Sequence, residues 1–250
     1  MEWLKFDPNK KVEEVQPSPL KTPEQVAAEP KTKNTDPYYD QFSRLIEDVE
    51  GRKHSVYNDA KGIPTVGIGY NLNDQQIRGV MDLNNINADE IISGSRNLTD
   101  EEIDNIKAGY HKVREPLISN RVGSDLFDTL TPNQKAAIAS MGYQSLNNIG
   151  PNLRSRLADN DTIGAMREII LNTNKDKDPG ILSRRLKEAS VFGGDEFPLT
   201  FQTFNDAEKK EVLDMINSIG NENTKAEIMK QYQQYLVPNR RKRFQNLASD

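Results

Sequence analysis

Around Gly51 the hydrophobic period of this chain switches from that of a helix to that of a strand. Residues 38–50, YYDQFSRLIEDVE, place Phe42, Leu45, Ile46 and Val49 at i, i+3, i+4 and i+7, one stripe of an amphipathic helix. Gly51 follows, the residue type that most often stands just past a helix end. The next stretch, RKHSVYNDAKGIPTVGIGYNL, is rich in Val, Ile, Tyr and Thr and is broken by Asn58-Asp59-Ala60-Lys61-Gly62. It predicts two short antiparallel strands, over 53–58 and 64–70. Beyond it the pattern is helical, so the expected class is α+β, mainly α.

The helical part carries its own punctuation. Thr99 and Glu102 form a capping box that predicts a helix running to about Arg114 and stopping before Pro116. Thr131-Pro132-Asn133-Gln134 is a second cap, with Pro at the first helical position. The helix it opens, QKAAIASMGYQSL, is apolar on most faces, which predicts burial. Further helices are expected at 151–158, 161–172 and 181–191. After Pro198, Val212, Met215, Ile216 and Ile219 predict one more helix and Ile228, Tyr232 and Tyr235 another, separated at Asn223-Thr224.

Residues 1–37 read as a tail. They hold six of the 13 prolines, with Lys and Glu between them. Such a segment buries too little surface to offset its ordering entropy and is expected to be extended. Trp3, Leu4 and Phe6 at its start suit either a passive linker or an anchor that docks on a partner. The tail also explains why hydrophobic residues make up 35%, or about 38% with Gly counted in place of Tyr, below the roughly 45–50% of an average globular chain. With 33 basic and 38 acidic residues, the net charge of −5 argues against a nucleic-acid binder. The absence of cysteine excludes disulfides, thiolate nucleophiles and Cys-ligated metals. Two histidines, His54 and His111, cannot make a poly-histidine metal site and are expected at the surface or satisfied within helices. No apolar run approaches the ~20 residues of a membrane span. The first 20 residues lack the apolar region of a signal peptide, so another route out of the cytoplasm is expected.

The chemistry is concentrated between Glu50 and Tyr70. Glu50 closes a helix, Asp59 sits in the turn between strands, Thr65 lies on the second strand, and Gly67-Ile68-Gly69 brings backbone close. Two carboxylates on different elements beside a hydroxyl are the parts for acid–base hydrolysis with an activated water. The negative end of a helix and partial burial both favour a protonated Glu50, while Asp59 in a polar turn stays ionised. The same residues also fit a plain hairpin, with a solvated Asp59 and glycines that serve the turn.

The run IEDVEGRKHSVYNDAKGIPTVGIGYNL resembles the phage-type lysozymes, a glycoside hydrolase family whose pattern is Glu, eight residues, Asp, five residues, Thr, then Gly-x-Gly. Here it reads Glu50, Asp59, Thr65, Gly67 and Gly69. A second stretch, GILSRRLKEASVF over 180–192, is similar to the family's C-terminal motif, with Ser183 in place of an Asn. LTDEEIDNIKAGYHKV and LTPNQKAAIASMGYQSL fall between them in the family's order. The resemblance spans about 38–197.

It implies a muramidase that needs no metal or cofactor. Glu50 becomes the proton donor, and Asp59 and Thr65 position the attacking water. The reaction is then inverting, with carboxyls roughly 6.5–9.5 Å apart. Substrate contacts fall to Tyr70, Tyr143, Gln144 and Arg184. Arg184 approaches the acid and opposes an upward shift of its pKa, while Arg185 makes a structural or surface pair. Tyr143 and Gln144 equally suit helix-end packing. Tyr70 stands where most relatives have histidine, so an ion pair there is lost and the local network must differ.

The expected architecture is a two-lobed lysozyme fold. A small sheet with the N-terminal helix makes one lobe and a helical bundle the other, with the cleft between. Residues 1–37 form a tail, 38–197 the lysozyme domain, and 198–250 a helical extension. The substrate partner is bacterial peptidoglycan, and phage tail or virion proteins are candidate partners of 1–37 and 198–250. Arg240-Arg241-Lys242-Arg243 is a solvated helix face or a contact to anionic polymer. The tail and extension point to a virion-associated lysozyme. The alternatives are an endolysin, held in the host cytoplasm before release, an inactive structural adapter, and a lytic transglycosylase.

Overall fold

A computed structural model describes residues 36–59, 61–173 and 179–236. The Trp3-Leu4-Phe6 cluster and the Arg240–Arg243 run lie outside the described residues. Helix α1 (Pro37–Glu50) opens at Asp36, whose carboxylate accepts from the Tyr38 N–H at 3.0 Å, and closes at Gly51 with φ 73°. Its stripe of Phe42, Leu45 and Ile46 is buried as the spacing predicts. Three antiparallel strands follow in the order β1 (Lys53–Asn58), β2 (Pro64–Gly67) and β3 (Tyr70–Asn71).

The expected second strand over 64–70 is therefore two strands. Gly67 and Gly69 take φ of 67° and 77°, which turns the chain back after β2. A Cβ on Gly67 would stand 2.5 Å from the Tyr70 ring, so the turn closes only around glycine.

Helices α2 (Gln75–Leu83) and α3 (Ala88–Ile92) complete the sheet side. Helix α4 (Asp100–Val122) has the predicted Thr99–Glu102 capping box but runs through Pro116 rather than stopping before it. An internal proline costs about 3 kcal/mol. The second half of α4 offsets this by burying Ile118 and Val122. Arg114 also donates to the Gly142 carbonyl at 2.6 Å, and Arg121 to that of Ile149 at 3.0 Å.

Short α5 (Ser124–Thr129) leads to α6 (Pro132–Gln144), capped by Thr131 and Gln134 and buried from Ala136 to Gly142. Next come α7 (Pro151–Ala158), α8 (Thr162–Arg167) widening into a π turn at Glu168–Asn172, and α9 (Pro179–Gly193). Then α10 (Phe197–Gln202), α11 (Asp206–Asn217) and α12 (Glu222–Leu236) follow. The α11–α12 break falls at 218–221, before the predicted Asn223-Thr224, because the Ser218 hydroxyl caps the Met215 carbonyl at 2.8 Å.

Helix α6 is the axis of the bundle, packed by α1, α9 and α4. The expectation that α1 groups with the sheet is thereby corrected, since α1 packs most extensively on α6. Its end is tied to the start of α4 by Arg52, which reaches Glu47 at 2.8 Å, Asp104 at 2.6 Å and Asp100 at 3.0 Å. At the far end, α10 packs on α8 and α9, and Phe197, Phe201, Phe204 and Tyr232 share an aromatic cluster with centroids 5.2–5.5 Å apart. The architecture is mainly helical with one small antiparallel sheet.

Candidate active site

Glu50 is the last residue of α1, and its side chain is one quarter exposed, at 25%. The turn between β2 and β3 lies directly against it, since a Cβ on Gly69 would be 3.0 Å from Glu50 Oε2. The turn is held from the bundle by Tyr143 at the end of α6, whose hydroxyl donates to the Ile68 carbonyl at 3.0 Å. Burial, and then the nearby Glu50 carboxylate, push the Tyr143 phenol well above its ordinary value. On the other side Arg184 of α9 pairs through Nη1 with Glu50 Oε1. Its Nε donates to Glu188 Oε1 at 3.0 Å and its Nη2 to the Ser140 carbonyl at 2.9 Å. Burial alone weakens this cation, but the Glu188 and Glu50 carboxylates outweigh burial and raise its pKa.

Asp59 and Thr65 meet at the backbone of Ile63. Asp59 Oδ1 accepts from the N–H groups of Lys61 at 2.8 Å and Ile63 at 2.9 Å. The Ile63 carbonyl accepts from the Asp59 N–H at 3.0 Å and from the Thr65 hydroxyl at 3.0 Å. The Thr65 proton is thus committed to the carbonyl, and its oxygen lone pairs remain to accept a bond.

Tyr57 is the cross-strand neighbour of Thr65. It stands on β1 directly opposite Thr65, and opposed residues of an antiparallel pair share a face. Its phenol is raised by burial first, then by Glu50, then by Asp59, so one hydroxyl feels both carboxylates. Lys53 Nζ lies 3.8 Å from its ring centroid. A carboxyl at Glu50, a carboxylate at Asp59 and a hydroxyl acceptor at Thr65 are groups that acid–base hydrolysis can use.

A family model described as phage lysozyme matches residues 47–188, more than half of the chain. The chain belongs to the phage lysozyme family. No curated protein matches it. The family hydrolyses peptidoglycan, and its reaction class is glycoside hydrolysis.

In this phage lysozyme, Tyr70 is not where the resemblance places it. It is fully buried and donates its hydroxyl to the Ile103 carbonyl of α4 at 2.9 Å. It is a core residue, because the Gly67 turn folds its ring beneath the sheet. Tyr143 packs on Tyr110 at 5.3 Å and holds the turn beside Glu50. Gln144 Oε1 accepts from Arg185 and from Asn148 at 3.1 Å. It lines an open groove of about 1050 Å³ with Asn147, Asn148, Asn152 and Arg185. Arg185 pairs with Glu188 in the interior rather than at the surface.

His54 sits 3.0 Å from Asp100 at a partly exposed site. His111 is not at the surface. It is buried and stacked on Phe42 at 4.4 Å, and burial lowers its pKa to about 3. Tyr57, Ser140 and Glu188 escape the sequence reading. The i, i+4 spacing of Arg184 and Glu188 on a helix was the available signal.

Proposed function

We propose that this chain is a muramidase that cleaves the β-1,4 bond between N-acetylmuramic acid and N-acetylglucosamine with inversion. Glu50 gives its proton to the leaving oxygen. Asp59, with Oδ1 engaged by backbone, uses Oδ2 to take a proton from water on the opposite face of the sugar. Thr65, its own proton committed to Ile63, accepts a bond from that water and fixes its direction. The observation that supports this reading is the Ile63 backbone, whose N–H bonds Asp59 and whose carbonyl accepts from Thr65.

Digestion of purified peptidoglycan by wild type, Glu50→Gln and Asp59→Asn tests it. Loss of a general acid is expected to lower the rate by about 10²–10⁴-fold. Products should carry hydrated reducing ends in the inverted anomer, read by mass spectrometry and proton NMR. Anhydro-muramic ends would mean a transglycosylase. If wild type degrades the wall no better than Glu50→Gln, the chain is a structural adapter.

The biological role we infer is a virion-associated lysozyme that opens the wall during infection. Its support is the proline-rich segment 1–37 and the α10–α12 helices, which share an aromatic cluster and of which α10 packs on α8 and α9. Mass spectrometry of washed particles checks this: the protein should be present, and its absence would favour the endolysin role.

A further inference from the structure

Behind Glu50 lies a group of charges that the hydrolytic scheme does not use. Glu188 of α9 is completely buried. Its Oε1 accepts from Arg184 Nε at 3.0 Å and from the Ser140 hydroxyl at 2.6 Å, and its Oε2 pairs with Arg185 Nη1. Arg184 in turn pairs with Glu50, and Arg185 with Gln144. Two carboxylates and two guanidiniums thus alternate from the proposed acid to the groove beside Gln144, with a charge sum of zero. A carboxylate removed from water this far is costly unless every oxygen is engaged. Here both are.

We propose that Glu188 is a positioning residue, which fixes the Arg184 guanidinium against Glu50 and so sets the charge balance at the proton donor. This rests on the reading of Glu50 as the acid. Arg184 is shared by two carboxylates, so the attention it gives to one limits its hold on the other. Without the Glu188 charge, Arg184 turns wholly to Glu50 and a neighbouring negative charge is gone. Both changes favour an ionised Glu50, which cannot donate.

The other groups facing this point do not compensate. Tyr143 on α6 and Tyr57 on β1 are phenols raised above their ordinary values and stay neutral. Asp59 is in the turn, Lys187 of α9 pairs with Asp48 at 2.8 Å, and Glu47 of α1 is engaged by Arg52 and Lys107.

The test is the pH–rate profile of peptidoglycan hydrolysis by the full chain. In Glu188→Gln the alkaline limb should move to lower pH by about one unit, roughly a tenfold loss of rate on that limb. Glu188→Asp keeps the charge and should restore the wild-type limb. Should Glu188→Gln fail to fold, the double variant Arg185→Gln/Glu188→Gln keeps the charge sum at zero. It should still move the limb the same way, by about half a unit. An unmoved limb in the folded variant, or an equal shift in Glu188→Asp, overturns the proposal and leaves Glu188 a structural ion-pair member. Glu50→Gln runs alongside. If it stays active the acid assignment itself falls, whereas an inactive Glu50→Gln with an unmoved Glu188→Gln profile sinks only the positioning role.

Discussion

Asp59 and Thr65 are tied together by the backbone of one residue, Ile63, whereas Glu50 is paired with Arg184 of α9 and faced by the β2–β3 turn, which Tyr143 of α6 ties down. The first arrangement is local, seven residues of chain, 59–65, folding back on themselves. The second depends on Arg184, 134 residues away, and on the buried carboxylate behind it. A local turn can lose its chemistry and keep its shape. A long-range cluster cannot lose a member without disturbing the fold, because each charge in it is another's solvent. The two halves of the site should therefore separate under mutation, one in activity alone and the other in activity and stability together.

The largest effect belongs to the long-range half. Arg184→Met strips Glu50 and Glu188 of their shared partner and leaves Glu188 to Arg185 and Ser140. Removing one member of a buried ion pair costs about 3–5 kcal/mol. Chemical denaturation should show that loss together with loss of hydrolysis. Unchanged stability would mean that the cluster is not what holds α9 to α1.

Asp59→Asn should do the opposite. An amide oxygen can still accept from the Lys61 and Ile63 N–H groups, so the turn persists and the midpoint of thermal unfolding should hardly move. The rate should fall by about 10²–10⁴-fold, since an amide cannot take a proton from water. A stability loss as large as that of Arg184→Met would erase the contrast between the halves.

This contrast also explains what the sequence made legible. Helix ends were readable because their signals are local: Gly51 after α1, Thr131-Pro132 before α6, and Pro151 at the start of α7. The Glu50, Asp59 and Thr65 spacing was readable for the same reason. What was not readable depends on distant packing. The α1 stripe announces a buried face but not the surface that buries it, so its place on α6 rather than the sheet could not be inferred. Pro116 stops an isolated helix, yet α4 continues because Arg114 and Arg121 bond carbonyls beyond its own sequence. Glu188 reads as a polar helix residue until two arginines and a serine close around it. Tyr70, beside the Gly-x-Gly, looks exposed by position, and only the Gly67 turn sends its ring into the core.

The dry support under the Glu50 side gives a third test, of intermediate size. His111 is stacked on Phe42 of α1 and is held neutral by burial, with its pKa lowered from 6.5 to about 3. The unfolded chain takes up a proton near the ordinary value and the folded one does not. This contribution to stability is complete above pH 6.5 and is lost as pH falls toward 3. At pH 5 the loss should reach about 2 kcal/mol relative to neutral pH. In His111→Phe, unfolding midpoints followed from pH 7 to pH 4 should decline less steeply. Parallel curves for the two proteins would show that another group carries the acid sensitivity.

The smallest effect is expected at the junction of the halves. Tyr57 faces Thr65 across the strand pair, and its phenol is influenced by both Glu50 and Asp59. Raised above its ordinary value, it keeps its proton at neutral pH and can donate a hydrogen bond to an acceptor. Tyr57→Phe retains the ring under Lys53, so the sheet should keep its stability. What goes is one neutral donor, worth about 0.5–1.5 kcal/mol, or a loss of roughly two- to twelvefold in kcat/KM. A loss as deep as that of Asp59→Asn would make Tyr57 part of the proton-transfer machinery and join two halves that the geometry keeps distinct.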